Sequence, residues 1–138
     1  MGATHFSGPV FVGTTDSNAG SNVLTQTGTL TQTAAGTTST TFTLPANAQI
    51  IDIIVDVTVL WNSVTSAGIT VGTAAAGTQY VTSINGKTAA RTMNSAATAA
   101  QLIAMQDITT NTSVVATVVS VGTTSAGTAR VTILYRQN

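Results

Sequence analysis

Two carboxylates set four residues apart, Asp52 and Asp56, are the first candidates for chemistry in this sequence. A pair of acids divides general-acid and general-base work when the two sit about 5–9.5 Å apart. Here the pair falls within a run, residues 50–61, where β-branched residues recur at every second position. That is a strand pattern. A helix would set the two like charges one turn apart, in a window of poor helix formers. In a strand the acids share a face but stand roughly 13 Å apart, at ~3.3 Å per residue. The spacing is too long for catalysis, and the pair is expected to hold an arginine at an edge or an interface.

The remaining reactive types lead to the same expectation. His5 is the only histidine and cysteine is absent, so a three-ligand zinc site lacks its donors. A base on a terminal arm is also not held still enough for proton transfer. His5 is expected to make a polar contact, to a neighbouring subunit for example. Gly86-Lys87-Thr88 copies the end of a phosphate-binding loop, but Val81 stands where the first glycine belongs. Asn111-Thr112-Ser113 matches a glycosylation sequon, which matters only for an exported chain. Lys87 and Arg91 suit a solvated loop or an ion pair to an aspartate across a subunit boundary. The sequence predicts no enzyme, no metal and no cofactor.

The element that positions Asp52 and Asp56 also organises the chain. Its odd face, Ile51, Ile53, Val55, Val57, Val59 and Trp61, is wholly apolar and is expected to form core. Its even face mixes Ile50, Asp52, Ile54, Asp56, Thr58 and Leu60. Ile50, Ile54 and Leu60 are poorly placed facing water, so this face is expected to be partly covered by a second subunit.

Other strands are expected over 23–33, 37–44, 69–72, 78–84, 114–121 and 128–136, with Val131, Ile133 and Tyr135 inward. Residues 87–95 read as irregular. Asn85-Gly86 reads as a tight turn built on positive φ. Thr98 and Gln101 form a capping box, so one short helix is expected near 98–106. Residues 1–13 read as an N-terminal extended arm, where Pro9 opposes a central strand. Residues 14–138 read as one domain: all-β, an antiparallel β-sandwich or jelly roll of about eight strands.

Composition narrows the function classes. Of 138 residues only 6% are charged, against ~25% in ordinary soluble domains, and the formal net charge is zero. Threonine is the commonest type, with 30 residues. Such a surface is either hydroxyl-rich or covered by partners. No basic run is present for neutralising phosphates, so no nucleic-acid partner is expected. The longest apolar stretch is too short for a membrane helix, and the first residues lack the pattern of a secretion signal. The chain is expected to be made in a cytoplasm and to bind no membrane.

The opening Thr4-His5-Phe6-Ser7-Gly8-Pro9, the run Leu44-Pro45-Ala46-Asn47-Ala48-Gln49-Ile50-Ile51-Asp52-Ile53, Val71-Gly72-Thr73-Ala74 and Gly127-Thr128-Ala129-Arg130-Val131-Thr132-Ile133-Leu134-Tyr135 resemble tailed-bacteriophage capsid decoration, or cement, proteins. The resemblance implies a jelly-roll-like sandwich and a homotrimer. It implies a seat on the outside of the head, at threefold or quasi-threefold positions, against the major capsid protein. It implies a virion location after synthesis in a bacterial host cytoplasm. The contact residues expected on this reading are His5, Phe6, Pro9 and Phe11 on the arm, with Ile50, Asp52, Ile54, Asp56 and Arg91 on the domain. The alternative is a trimeric receptor-binding or fibre-tip module, which would carry an exposed glycan site.

Overall fold

The computed structural model describes residues 22–94, 97–106 and 108–137. The arm, with His5, Phe6, Pro9 and Phe11, lies outside them. In chain order the elements are β1 (Val23–Thr31), β2 (Gly36–Leu44), β3 (Ala48–Val59), β4 (Ser66–Gly72), β5 (Val81–Asn85), β6 (Arg91–Met93), α1 (Ala99–Gln106), β7 (Thr112–Val121) and β8 (Thr128–Gln137). They form two four-stranded sheets: sheet A in the order β1-β8-β3-β6, and sheet B in the order β2-β7-β4-β5. Every strand pair is antiparallel.

Within the sheets β1 lies beside β8, β2 beside β7, β3 beside β6 and β4 beside β5. That nesting is a long antiparallel ribbon rolled over on itself, the jelly roll. The expected β-sandwich of eight strands and one short helix is present. Between the sheets, Leu30, Ile53, Val55, Val131 and Ile133 of sheet A face Phe42, Ile69, Val71, Val114 and Val118 of sheet B, all buried. Alternation dictates this: each strand sends every second side chain into the gap.

β3 departs from the expected alternation in two places. Ile50 stands opposite Tyr135 and Asp52 opposite Leu134, so Ile51 is an extra residue; Val57 opposes Ala129 and Val59 opposes Thr128, so Thr58 is another. Each bulge reverses which parity faces inward. Ile51, expected in the core, is therefore 47% exposed, and Val59 is 48% exposed. Ile50, expected on a subunit contact, is 3% exposed and packs in the core of its own chain. Between the bulges the prediction holds, with Ile53, Val55 and Val57 buried.

β7 is buried on both faces over 114–118. Its outward Thr117 is covered by the β4–β5 loop, where the Ala76 backbone N–H donates to Thr117 Oγ1 at 3.0 Å. α1 begins as its capping box predicts: Gln101 N–H donates to Thr98 Oγ1 at 3.3 Å, and Thr98 N–H donates to Gln101 Oε1 at 2.9 Å. The stretch 87–95, expected to be irregular, contains β6.

Asn85-Gly86 does not turn through positive φ; among the described residues those that do are Gly36, Asn47, Ala76 and Gly122. Gly86 is there for space, because a Cβ would stand 2.8 Å from the Trp61 ring. Gly127 approaches the same indole more closely still, at 2.4 Å from a Cβ position.

Candidate functional site

The outer face of sheet A gathers most of the charge that the domain carries. Alternation on β3 between its two bulges turns Asp52, Ile54 and Asp56 outward. β8 alternates in step: with Ala129, Val131, Ile133 and Tyr135 buried, Arg130, Thr132, Leu134 and Arg136 point away from the core. β6 then adds Arg91 and Met93 at the sheet edge.

Register sets these residues in rows across the strands. Asp56 is directly opposite Arg91 on one side and Arg130 on the other. Arg91 Nε donates to Asp56 Oδ1 at 2.6 Å and its NH2 to Oδ2 at 3.1 Å. Arg130 NH2 donates to the same Oδ2 at 2.9 Å. The carboxylate sits between two arginines with 13% of its side chain exposed, while those of Arg91 and Arg130 are 62% and 54% exposed. Hydrogen bonds from Arg91, then from Arg130, hold the Asp56 carboxyl down at about 2. So weak a base is suited to pairing and not to taking a proton.

The next row sets Ile54 between Met93 and Thr132. Ile54 is half-buried and Met93 is exposed. One row further, Asp52 stands opposite Leu134. Asp52 Oδ1 accepts from the backbone N–H of Ile53 at 2.7 Å and of Asn94 at 3.0 Å, which ties β3 to the segment after β6. No bulge separates Asp52 from Asp56, so they keep the full strand spacing that rules out a shared reaction centre.

The structure thus brings Asp52, Ile54, Asp56 and Arg91 onto one face and removes Ile50 from it; Arg91, expected in a solvated loop or paired across a subunit boundary, lies in a strand and pairs with Asp56 of its own chain. Sequence reasoning missed Arg130, Met93 and Leu134 as members of this face. Arg130 was legible by alternation from the buried Val131. That Arg130 meets Asp56, 74 residues away, has no local signal.

The opposite face of the sandwich is chemically different. A cavity of about 500 Å³ lies on the outside of sheet B, lined by Ser66, Gly68, Thr70, Ser83 and Val119, with Lys87 its only charged lining residue. Among the described residues no cluster of His, Cys, Asp or Glu could hold a metal ion. No described helix is long and apolar enough to cross a membrane.

No protein-family model and no curated protein matches this sequence. Solved structures do match. A chain of the cyanophage Pam1 capsid asymmetric unit superposes over 100% of both chains, with a TM-score of 0.63 and 20% identity. The fold occurs in phage capsids. A chain of the capsid of Ralstonia phage GP4 superposes over 85% of each chain, with a TM-score of 0.55 and 18% identity. At these identities the likeness is one of fold.

Proposed function

We propose that this chain is a structural protein of a phage virion: a decoration, or cement, protein seated on the outside of the head against the major capsid protein. The observation that carries the reading is the two-way coverage of the Pam1 match. The counterpart in that capsid is a separate chain of the same extent, not a domain within a larger subunit. The sparse charge and threonine-rich surface fit a protein that lives covered by neighbours.

On this reading the chain is a homotrimer at threefold or quasi-threefold positions, made in the host cytoplasm and carried on the virion surface. It holds no cofactor and catalyses nothing. A threefold ring requires a head-to-tail contact between two different surfaces of each subunit. The outer face of sheet A supplies one of them, with Ile54 and Met93 as its apolar part and Asp52, Asp56 and Arg91 as its polar part. Three linked binding sites, each weak, make the whole leave the shell slowly.

The test is direct. Purified protein is run by native mass spectrometry and then sedimented with expanded, undecorated heads. A trimer that co-sediments with heads is expected. A monomer that stays in the supernatant overturns the reading, and attachment to host-cell polysaccharide in place of heads moves the protein to the receptor-binding class.

A further inference from the structure

We propose that the groove between α1 and β3 is the docking site of this chain's own segment 6–12. Helix α1 buries Gln101 and Met105 and leaves two large apolar side chains outward. One of its two glutamines faces in: Gln101 is buried and its side-chain amide donates to Thr82 Oγ1 at 3.0 Å. Its leucine and isoleucine face out, Leu102 at 52% and Ile103 at 68% exposure. The bulge on β3 turns another apolar side chain, Ile51, toward Leu102. Leu102, Met105 and Ile51 wall a groove of about 450 Å³, with Gln49 and Arg136 at one side. Bulges re-aim side chains, and this one aims an isoleucine at a groove instead of a core.

The occupant follows from where the chain enters the fold. Val23 opens β1 opposite Arg136, and Arg136 is in turn opposite Gln49. Strands lie about 4.8 Å apart, so Val23 starts about 10 Å from the groove wall. Residues 13–22 span up to roughly 33 Å when extended, three times what is needed. They are also free of large apolar side chains: Gly13, Thr14, Thr15, Asp16, Ser17, Asn18, Ala19, Gly20, Ser21 and Asn22. Ahead of this polar tether, Phe6, Val10 and Val12 share one face of an extended chain. A tethered apolar segment meets the groove at an effective concentration in the millimolar range. Burying Phe6 alone removes ~150–250 Å² from water. Docking of the arm depends on neither the oligomeric state nor the virion role.

Hydrogen exchange on the full chain tests it. The amides of 6–12 are expected to exchange at least tenfold slower than an unstructured peptide, independently of protein concentration. The variants Ile51→Asp and Leu102→Asp should return them to the unstructured rate. Both side chains are about half exposed, so the tryptophan fluorescence and melting of the domain should be retained. Unstructured rates in the unaltered protein overturn the inference, as does protection that survives both substitutions. Protection that grows with protein concentration also overturns it, and assigns the groove to the arm of a second copy.

Discussion

The indole N–H of Trp61 donates to the side-chain oxygen of Gln32 over 2.8 Å, in a site that solvent does not reach. Gln32 completes the arrangement by donating its amide to the Gly36 carbonyl at 2.8 Å. The pair closes one end of the sandwich, with the indole packed against Gly86 and Gly127.

Replacing Gln32 by leucine leaves the buried indole N–H without an acceptor. The expected cost is ~1–3 kcal/mol, the penalty of an unsatisfied buried donor. Trp61→Ala should cost more, ~3–5 kcal/mol, through the cavity it opens. Urea unfolding followed by circular dichroism measures both. Equal stability of Gln32→Leu and the parent protein would show that the indole finds another acceptor.

Gly127→Ala should destabilise by ~1–3 kcal/mol, because its Cβ would overlap the Trp61 ring. Gly86→Ala, with a longer approach of 2.8 Å, should cost less. Trp61 is the only tryptophan, so its emission reports directly on this end. A shifted emission maximum in the folded Gly127→Ala protein is the accompanying signature.

Asp56 predicts acid sensitivity in one window. Its folded pKa, about 2, lies below the ordinary 3.8. A carboxyl depressed on folding stabilises the protein fully above its unfolded pKa, and the contribution is lost as pH falls through the folded value. The Asp56 contribution should therefore be constant above about pH 5 and fade between about pH 4 and 2. Both arginines are exposed, so solvent screens the ion pairs and the change with pH should be small. Stability measured against pH should be flatter over that window in Asp56→Asn than in the parent. An identical slope would mean that the pairing is not kept in solution.

Ile54→Lys separates assembly from folding. Ile54 points out of the sandwich, so unfolding free energy should move by less than about 0.5 kcal/mol. A lysine in the centre of a subunit contact should weaken association at least tenfold, ~1.4 kcal/mol or more. Native mass spectrometry should show the trimer lost while the monomer melts as before. A trimer that survives the substitution takes this face out of the contact.

Seven of the eight strands, the helix and the sandwich were legible because each is written locally. Val131, Ile133 and Tyr135 alternate, and Thr98 with Gln101 marks the start of α1 three residues apart. What stayed hidden depends on distant partners. The bulge at Ile51 leaves no trace in a run of isoleucines, because either parity looks apolar. β5 slips in the same way: Ile84 pairs with Ile69 but Val81 with Val71, so Val81 and Ile84 are both buried although three residues apart. β6 is three residues of polar and mixed sequence, made a strand by pairing with β3 through Arg91 and Asp56. The Trp61–Gln32 bond joins residues 29 apart, and neither residue type announces the other.

The order β1-β8-β3-β6 has a consequence for how the domain is born. The last strand of the domain to leave a ribosome, β8, is an inner strand of sheet A, with β1 and β3 hydrogen-bonded on its two sides. Until it emerges, β1 has no neighbour in its sheet and the apolar length of β3 lacks its principal one. Sheet A therefore cannot zip up progressively during translation. It must wait for one late insertion, and contacts of such long sequence separation form slowly. Nascent chains stalled just before residue 128 should thus display β1 and β3 as open edges, the state most exposed to chaperones and to mispairing.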